Sequence, residues 1–133
     1  MSLHVLTLRT GNRTELLDIT DSLAKLVRDS KVRSGLLTVF VPHTTAAVTI
    51  NENADPSVQQ DILQELNRLV PLQGPYRHTE GNSAAHVKST LVNPSQLLLI
   101  DDGRLALGTW QGVYFCEFDG PRTRKIWVKI IAD

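Results

Sequence analysis

The C-terminal third of the chain alternates apolar and polar residues between pairs of turn-forming residues. In the last of these segments Ile126, Val128 and Ile130 fall on one face, while two lysines flank Trp127 on the other. Asp-Gly pairs at 102–103 and 119–120 are typical of hairpin turns. The pattern predicts a meander of strands at Gln96 to Ile100, Arg104 to Phe118 and Arg124 to Ile131.

Earlier in the chain, further strands are predicted in two groups. These are Leu3 to Leu8, Glu15 to Ile19, Leu36 to Val41 and Ala46 to Ile50. His43 lies on the connection between the last two. A helix is expected from Thr20, because apolar residues then recur at helical spacing until Gly35.

Two more helices are predicted in the middle of the chain. Asp55 followed by Pro56 is a strong helix start, since an acid suits the N-cap and proline suits the first helical position. Its expected buried stripe is Val58, Ile62, Leu66 and Leu69. A short helix from Ser83 to Leu91 is expected to turn Val87 and Leu91 to the core, after a functional loop over residues 73–83.

Helices inserted irregularly between groups of strands predict an α+β fold rather than a regular βαβ alternation. We expect one compact domain over residues 1–133, with a mixed or antiparallel sheet of about seven to eight strands, two main helices and one short helix.

Composition excludes several classes of protein. The 14 basic and 14 acidic residues give a net charge of 0, so the basic field typical of nucleic-acid binding is missing. Cys116 is the only cysteine and cannot form an intrachain disulfide. We find no apolar run of membrane-spanning length and no signal-peptide pattern in residues 1–13, so a cytoplasmic protein without membrane or nucleic-acid partners is expected.

The first polar cluster surrounds the strand after His43. His43, Thr44 and Thr45 precede this strand, and Asn51 and Glu52 follow it. A glutamate there can serve as general base or metal ligand. The competing interpretation is structural, with the asparagine as a turn residue.

The second cluster combines His78, Glu80, His86 and Lys88. Two imidazoles and a carboxylate within nine positions can hold a divalent metal, with His43 as a third ligand, or the imidazoles can bind phosphate directly. Lys88 can neutralise a phosphate. The alternatives are a solvated loop, a partly buried histidine and an exposed lysine.

The third cluster is Gly108 to Gly112, followed by Glu117, Arg122 and Arg124. Glycines on either side of Trp110 and Gln111 indicate a bulge or a close approach to a ligand. The indole can stack on a planar ring that Gln111 orients, or it can pack in the core. Glu117 is expected at the sheet margin or buried with a partner, and the arginines form either a phosphate clamp or a solvated basic turn.

Four separated segments closely resemble the YjbQ family pattern, in family order and over nearly the whole chain. They are residues 43–53 (HTTAAVTINEN), 76–78 (YRH), 85–89 (AHVKS) and 107–112 (LGTWQG), with a looser match at 118–122.

The resemblance implies a compact α+β homotrimer with sites near subunit contacts. It also implies a secondary thiamine-phosphate synthase activity, which joins hydroxymethylpyrimidine diphosphate to thiazole phosphate and releases pyrophosphate. The candidate catalytic residues are His43, Glu52, His86 and Glu117. The candidate substrate-binding residues are Thr44, Thr45, Asn51, Lys88, Trp110, Gln111 and Arg122. The candidate metal ligands are His43, His78 and His86.

Two other functions use the same histidine-rich pocket. One is a metal-dependent hydrolase, and the other is a non-catalytic small-ligand binding protein. The expected cofactor is a divalent metal, either a zinc-like ion on the histidines or magnesium held by pyrophosphate oxygens, and no organic cofactor is expected.

Overall fold

The computed structural model describes residues 3–133. Within that range it contains eight strands and three helices, which confirms the α+β prediction. The strands are β1 (His4–Arg9), β2 (Glu15–Asp18), β3 (Gly35–Phe40), β4 (Ala46–Glu52), β5 (Ser95–Asp101), β6 (Arg104–Leu105), β7 (Gln111–Glu117) and β8 (Thr123–Ala132). The helices are α1 (Thr20–Ser30), α2 (Pro56–Leu69) and α3 (Ser83–Val92).

The strands form two antiparallel sheets, of order β1-β8-β3-β5-β6 and β2-β7-β4. Asp102-Gly103 forms the predicted hairpin turn, because Asp101 pairs with Arg104 and both turn residues have positive φ. The prediction of a hairpin at Asp119-Gly120 was wrong. This segment joins β7 to β8, which belong to different sheets.

The predicted strand Arg104 to Phe118 is interrupted between Leu105 and Gln111. A tight turn closes there, since the Gln111 N–H donates to the Gly108 carbonyl and the Gly108 N–H donates to Gln111 Oε1. Gly108 therefore lies in a turn and Gly112 is the second residue of β7, so the two glycines do not form a bulge within one strand.

The inner faces of both sheets share one apolar core, to which α1 adds Leu23 and Val27. Helices α2 and α3 lie on the other face of the three-stranded sheet, around Ala47, Cys116 and Phe118. Strand β7 is therefore covered on both sides, and all its residues from 112 to 117 are buried.

One prediction about a buried helix face was wrong, and another was right except at its last residue. Helix α3 turns Ala84, Ala85, Lys88 and Ser89 inward, so Val87 and Leu91 are exposed. The prediction placed the apolar side chains inward, whereas small residues allow this helix to approach β4 closely. The stripe of α2 is half-buried at Val58, Ile62 and Leu66, and only Leu69, at 58%, is exposed.

The outer face of the five-stranded sheet remains uncovered and apolar. Trp127 stacks on Phe40 at a centroid distance of 5.9 Å and pairs with Val5 on the neighbouring strand. In the next rows Leu36 pairs with both Leu99 and Ile131. The prediction that Trp127 faces outward between lysines is confirmed. No helix among residues 3–133 is long and apolar enough to cross a membrane.

Candidate functional site

The register of β4 against β7 separates the predicted site residues into two groups. Ala46 pairs with Glu117 at one end of the ladder, and Glu52 pairs with Gln111 at the other. Six residue steps in a strand cover about 20 Å. We call the first the His43 end (His43, Thr44, Thr45, Glu117, Arg122, Arg124) and the second the Trp110 end (Asn51, Glu52, Trp110, Gln111).

A buried ion pair organises the His43 end. Glu117 and Arg124 are 0% and 2% exposed, and Arg124 Nε donates to Glu117 Oε1 at 2.9 Å. The Thr10 hydroxyl and the Asp119 N–H donate to the two carboxylate oxygens at 2.8 and 2.9 Å. Burial alone would raise the pKa of Glu117, but Arg124 and these two donors hold it below its ordinary value. Glu117 is thus an ionised carboxylate with both oxygens engaged.

Arg124 also fixes the chain next to His43. Its Nη2 donates to the Thr45 carbonyl at 3.2 Å and to Thr45 Oγ1 at 2.9 Å. Because Thr45 precedes the first residue of β4, the ion pair positions the connection between the two sheets. Thr45 is consequently buried and part of the frame, while the neighbouring Thr44 side chain is exposed.

His43 is held by a single main-chain hydrogen bond. The Lys125 N–H donates to His43 Nε2 at 3.0 Å, which leaves the proton of the neutral imidazole on Nδ1. Burial, and then the charge of Arg124, lower the pKa of His43. A neutral imidazole that can donate from Nδ1 is therefore fixed at this end of the sheet.

Two cavities open beside His43. The larger, about 570 Å³, includes Thr44, Arg122 and Arg124 in its lining. Arg122 is half-exposed there and donates from Nε to the Asp119 carbonyl at 2.9 Å. The smaller cavity, about 290 Å³, shares His43 and Thr44 with the larger one and adds His86.

Ser89 also lines the smaller cavity, and sequence reasoning missed it. It is 7% exposed, and its Oγ has no hydrogen-bond partner among the described residues. The available signal was its i, i+3 spacing from His86, which places both on one side of a helix.

His78 and His86 come together at the start of α3. Their ring centroids lie 5.5 Å apart in an edge-to-face arrangement. Among residues 3–133, however, no three His, Cys, Asp or Glu side chains are grouped closely enough to hold a metal ion. The ligand set of His43, His78 and His86 is therefore not assembled within one chain.

The Trp110 end is open. The Trp110 side chain is 62% exposed, so its indole is available to stack. Gln111 uses its carbonyl oxygen within the turn, and Glu52 is half-buried. Asn51 lies within β4, paired with Gly112, so it is not the turn residue that the alternative interpretation expected, and its Oδ1 accepts from the Glu52 N–H at 2.7 Å.

Lys88 lies apart from both groups. Its side chain is buried and lines a third cavity, of about 300 Å³, together with Arg13 and Asn67. This cavity shares no lining residue with the two cavities beside His43, so within one chain Lys88 and His43 line separate cavities.

Comparison with known proteins finds similarity over nearly the whole chain. Residues 4–133 match the family model described as UPF0047 protein YjbQ-like. A UPF0047 protein of Methanocaldococcus jannaschii is 53% identical over 126 residues, which are 95% of this chain and 91% of that protein. The UPF0047 protein YugU of Bacillus subtilis is 47% identical over 131 residues, 98% of this chain and 99% of that protein.

Solved structures show the same fold. A protein of the YjbQ/UPF0047 family from Clostridium acetobutylicum superposes with a TM-score of 0.95 at 53% identity, covering 96% of this chain and 99% of that one. A protein of unknown function from Sulfolobus solfataricus gives a TM-score of 0.95 at 30% identity, covering 99% and 97%.

Proposed function

Because the chain belongs to the UPF0047 YjbQ-like family, we propose that it is an enzyme that binds a phosphorylated small molecule at the His43 end. The observation that carries this proposal is one cavity wall formed by His43, Arg122 and Arg124. A neutral imidazole beside guanidinium groups suits an anionic ligand, since every one of these groups can donate a hydrogen bond to it.

The two arginines differ in whether their guanidinium group is free to bind a ligand. Arg124 is compensated by the buried Glu117, whereas Arg122 contacts the Asp119 side chain at 3.1 Å and stays half-exposed. Arg122 can turn to a ligand phosphate because the Asp119 carboxylate, 12% exposed, keeps its hydrogen bond from Asn82 at 2.9 Å. His43 Nδ1–H can donate to the same group.

The reaction that we propose is the thiamine-phosphate synthase transfer that the resemblance implies. The bond between the pyrimidine methylene carbon and the diphosphate oxygen breaks, and the ring nitrogen of thiazole phosphate donates its electron pair to that carbon. Pyrophosphate leaves with the bonding electrons. Arg122 and His43 would stabilise the leaving charge, and magnesium would be held by the pyrophosphate oxygens.

The pyrimidine needs a stacking surface, and Trp110 lies about 20 Å from His43 along the strand. A single chain cannot place His43 and Trp110 against one small substrate. We therefore propose that a neighbouring subunit supplies Trp110 and Glu52. A homotrimer fits this requirement. The uncovered sheet face around Trp127 and Phe40 supports an oligomer, because apolar patches of this kind are typical of subunit contacts.

Light scattering tests the assembly. Wild-type protein should have the mass of three protomers, and Trp127→Glu should shift that mass towards one by burying a charge in the contact. Lys25→Glu, on an exposed helix position, is the matched control. A single-protomer mass for the wild type at every concentration would remove the shared-site argument.

Activity assays test the reaction. Purified protein is incubated with hydroxymethylpyrimidine diphosphate and thiazole phosphate, with and without magnesium, and pyrophosphate release is measured. Arg122→Met should raise KM about tenfold to a hundredfold, since it removes a charged hydrogen bond. His43→Gln should lower kcat by about 10²-fold or more. Arg104→Met, an exposed arginine outside the His43 cavities, should change neither.

A metal-dependent hydrolase is the second candidate, favoured by the His78–His86 pair at 5.5 Å. Two imidazoles at this separation can share a zinc-like ion if a neighbouring subunit or substrate completes the shell. Elemental analysis of untagged protein should then find stoichiometric metal that decreases in His78→Ala and His86→Ala. Metal-free protein with full transferase activity would exclude the hydrolase, and ligand binding without turnover would leave a binding protein.

A further inference from the structure

Lys88 is a buried cation without an acidic partner. Its side chain is 3% exposed, and no carboxylate among residues 3–133 forms an ion pair with it. The ammonium group donates to Asn67 Oδ1 and lies 5.8 Å from the centroid of the Phe118 ring. An ammonium has three N–H donors, so this environment leaves donors unused.

Buried charges in folded proteins are almost always paired, because an isolated one loses its hydration without compensation. Burial accordingly lowers the pKa of Lys88. The amide oxygen of Asn67 and the face of the Phe118 ring both favour the charged form. The surroundings of Lys88 therefore suit an ammonium whose counterion is not part of the chain.

Lys88 and the two residues that its ammonium contacts, Asn67 and Phe118, all line a cavity of about 300 Å³. Arg13 and Thr14 line its polar side. The Arg13 guanidinium is 56% exposed, and its contact with the Asp119 carboxylate is long at 3.9 Å. It can therefore turn to a ligand. Thr14 Oγ1 accepts from Asn67 Nδ2 at 3.3 Å, which leaves the Thr14 hydroxyl proton free to point into the cavity.

The opposite side of the cavity is apolar and includes Pro71 and Leu72. We propose that the cavity is a second anion-binding site, separate from the His43 end, which binds the phosphate or carboxylate group of a small ligand between Lys88 and Arg13. The apolar side receives the uncharged part of that ligand. This site does not depend on the proposed transferase reaction, since it shares no lining residue with the His43 cavities.

Titration followed by two-dimensional NMR can separate the two sites. The side-chain amide of Asn67 reports on the Lys88 cavity, and the backbone amide of Lys125, which donates to His43, reports on the His43 end. Inorganic phosphate and acetate are added in parallel at constant ionic strength. Saturable shifts of the Asn67 amide with either anion are expected, and the stronger of the two identifies the chemical class.

Substitution of Lys88 gives the decisive comparison. Lys88→Met keeps the length of the side chain without its charge and should weaken anion affinity at the Asn67 amide at least about tenfold. Lys88→Arg should retain affinity within a few fold, and Lys25→Met, which removes an exposed lysine, should leave it unchanged.

Unsaturable or absent Asn67 shifts in the wild type would overturn the second site, whatever the variants do. Equal affinity in the wild type and Lys88→Met would overturn it as well. Phosphate shifts confined to the Lys125 amide would support the His43 site and reject this one, so the two proposals fail separately.

Discussion

The same pair of strands, β4 and β7, forms both ends of the three-stranded sheet, but the side chains at the two ends are stabilised in different ways. At the His43 end Glu117 is 0% exposed, and its charge is compensated within the chain. At the other end Trp110, which directly precedes β7, has a side chain that is 62% exposed. One end is completed by intramolecular contacts, and the other presents an aromatic surface to whatever lies outside the chain.

This difference shows which contacts fix the positions of the site residues before a ligand binds. A buried ion pair tolerates one geometry, because each charge must be met by donors or acceptors at hydrogen-bond distance. Thr10, Thr45 and Asp119 are therefore held in place by hydrogen bonds to the ion pair. His43 lies two residues before Thr45, so the same contacts restrict its position. The exposed Trp110 has no such constraint, so its orientation depends on a partner.

Removal of the buried carboxylate should have the largest effect. Glu117→Gln leaves Arg124 buried without a counter-charge, which should lower the free energy of unfolding by about 3–5 kcal/mol. Urea denaturation followed by circular dichroism measures it. Asp29→Asn breaks the exposed Lys25–Asp29 pair and should change stability far less, because solvent screens this pair.

A paired replacement sharpens this result. If the cost arises from the unpaired arginine, Glu117→Met combined with Arg124→Met should recover much of the stability lost in Glu117→Gln. A double variant as unstable as the sum of its singles would mean that shape, not charge, holds the His43 end together.

The two ends should also differ in the stability that is lost when a glycine is replaced by alanine. A Cβ on Gly120 would lie 2.3 Å from the Asn12 carbonyl oxygen and 2.8 Å from Glu117 Cγ, neither of which can move freely. A Cβ on Gly112 would lie 2.5 Å from Asn53 Nδ2 and 2.8 Å from Asn53 Cβ, and Asn53 is an exposed residue directly after β4. Thermal unfolding should show Gly120→Ala destabilised by about 1–3 kcal/mol.

Gly112→Ala should lose less than Gly120→Ala, because relief needs only a small backbone shift of the exposed Asn53, whereas Gly120 meets the buried Glu117 side chain. Equal losses would indicate that the Trp110 end is as rigid as the His43 end. That outcome would break the comparison.

Sequence reasoning succeeded where local chemistry decides the structure. Asp55 accepts from the Ser57 N–H at 2.9 Å as the N-cap of α2, and β8 alternates as its pattern predicts. It failed at Asp119-Gly120, because a turn motif does not reveal whether the next strand returns to the same sheet. That choice depends on non-local pairing of β8 with β1 and β3.

The candidate site shows the same limit. The motifs identified His43, Glu52 and Trp110, but only the register of β4 against β7 shows that they lie at opposite ends of a ladder. Lys88 was interpreted as an exposed or phosphate-binding residue. Its burial follows from the helix phase of Ala84, Ala85 and Ser89, whose small side chains decide which side of α3 faces the sheet.

Truncation of Trp110 should separate ligand recognition from folding. Trp110→Ala should keep the free energy of unfolding within about 0.5 kcal/mol, since the side chain buries little surface. If the indole stacks on the substrate, affinity should fall about tenfold in fluorescence or calorimetric titration. Phe118→Ala, which removes a buried ring, is the opposite control and should destabilise by about 3–5 kcal/mol. A stability loss for Trp110→Ala similar to that control would show that the exposed end is part of the fold.

The smallest expected effect concerns the protonation of His43. Its pKa is lowered below the ordinary value of 6.5, chiefly by burial, so the unfolded chain takes up a proton at a higher pH than the folded one. The stabilisation from this group is complete above pH 6.5 and is lost as the pH falls through the folded pKa.

His43→Gln keeps an acceptor for the Lys125 N–H but cannot titrate. The free energy of unfolding in urea should therefore fall further between about pH 7.5 and pH 5.5 in the wild type than in the variant, by a small amount because solvent screens the half-buried imidazole. The other histidines are common to both proteins and cancel, and Glu117 is fully ionised in this range because its pKa lies below 4.5. Identical pH dependence in the two proteins would mean that His43 is not held neutral by its environment, and the His43 end would lose the preorganisation that distinguishes it from the Trp110 end.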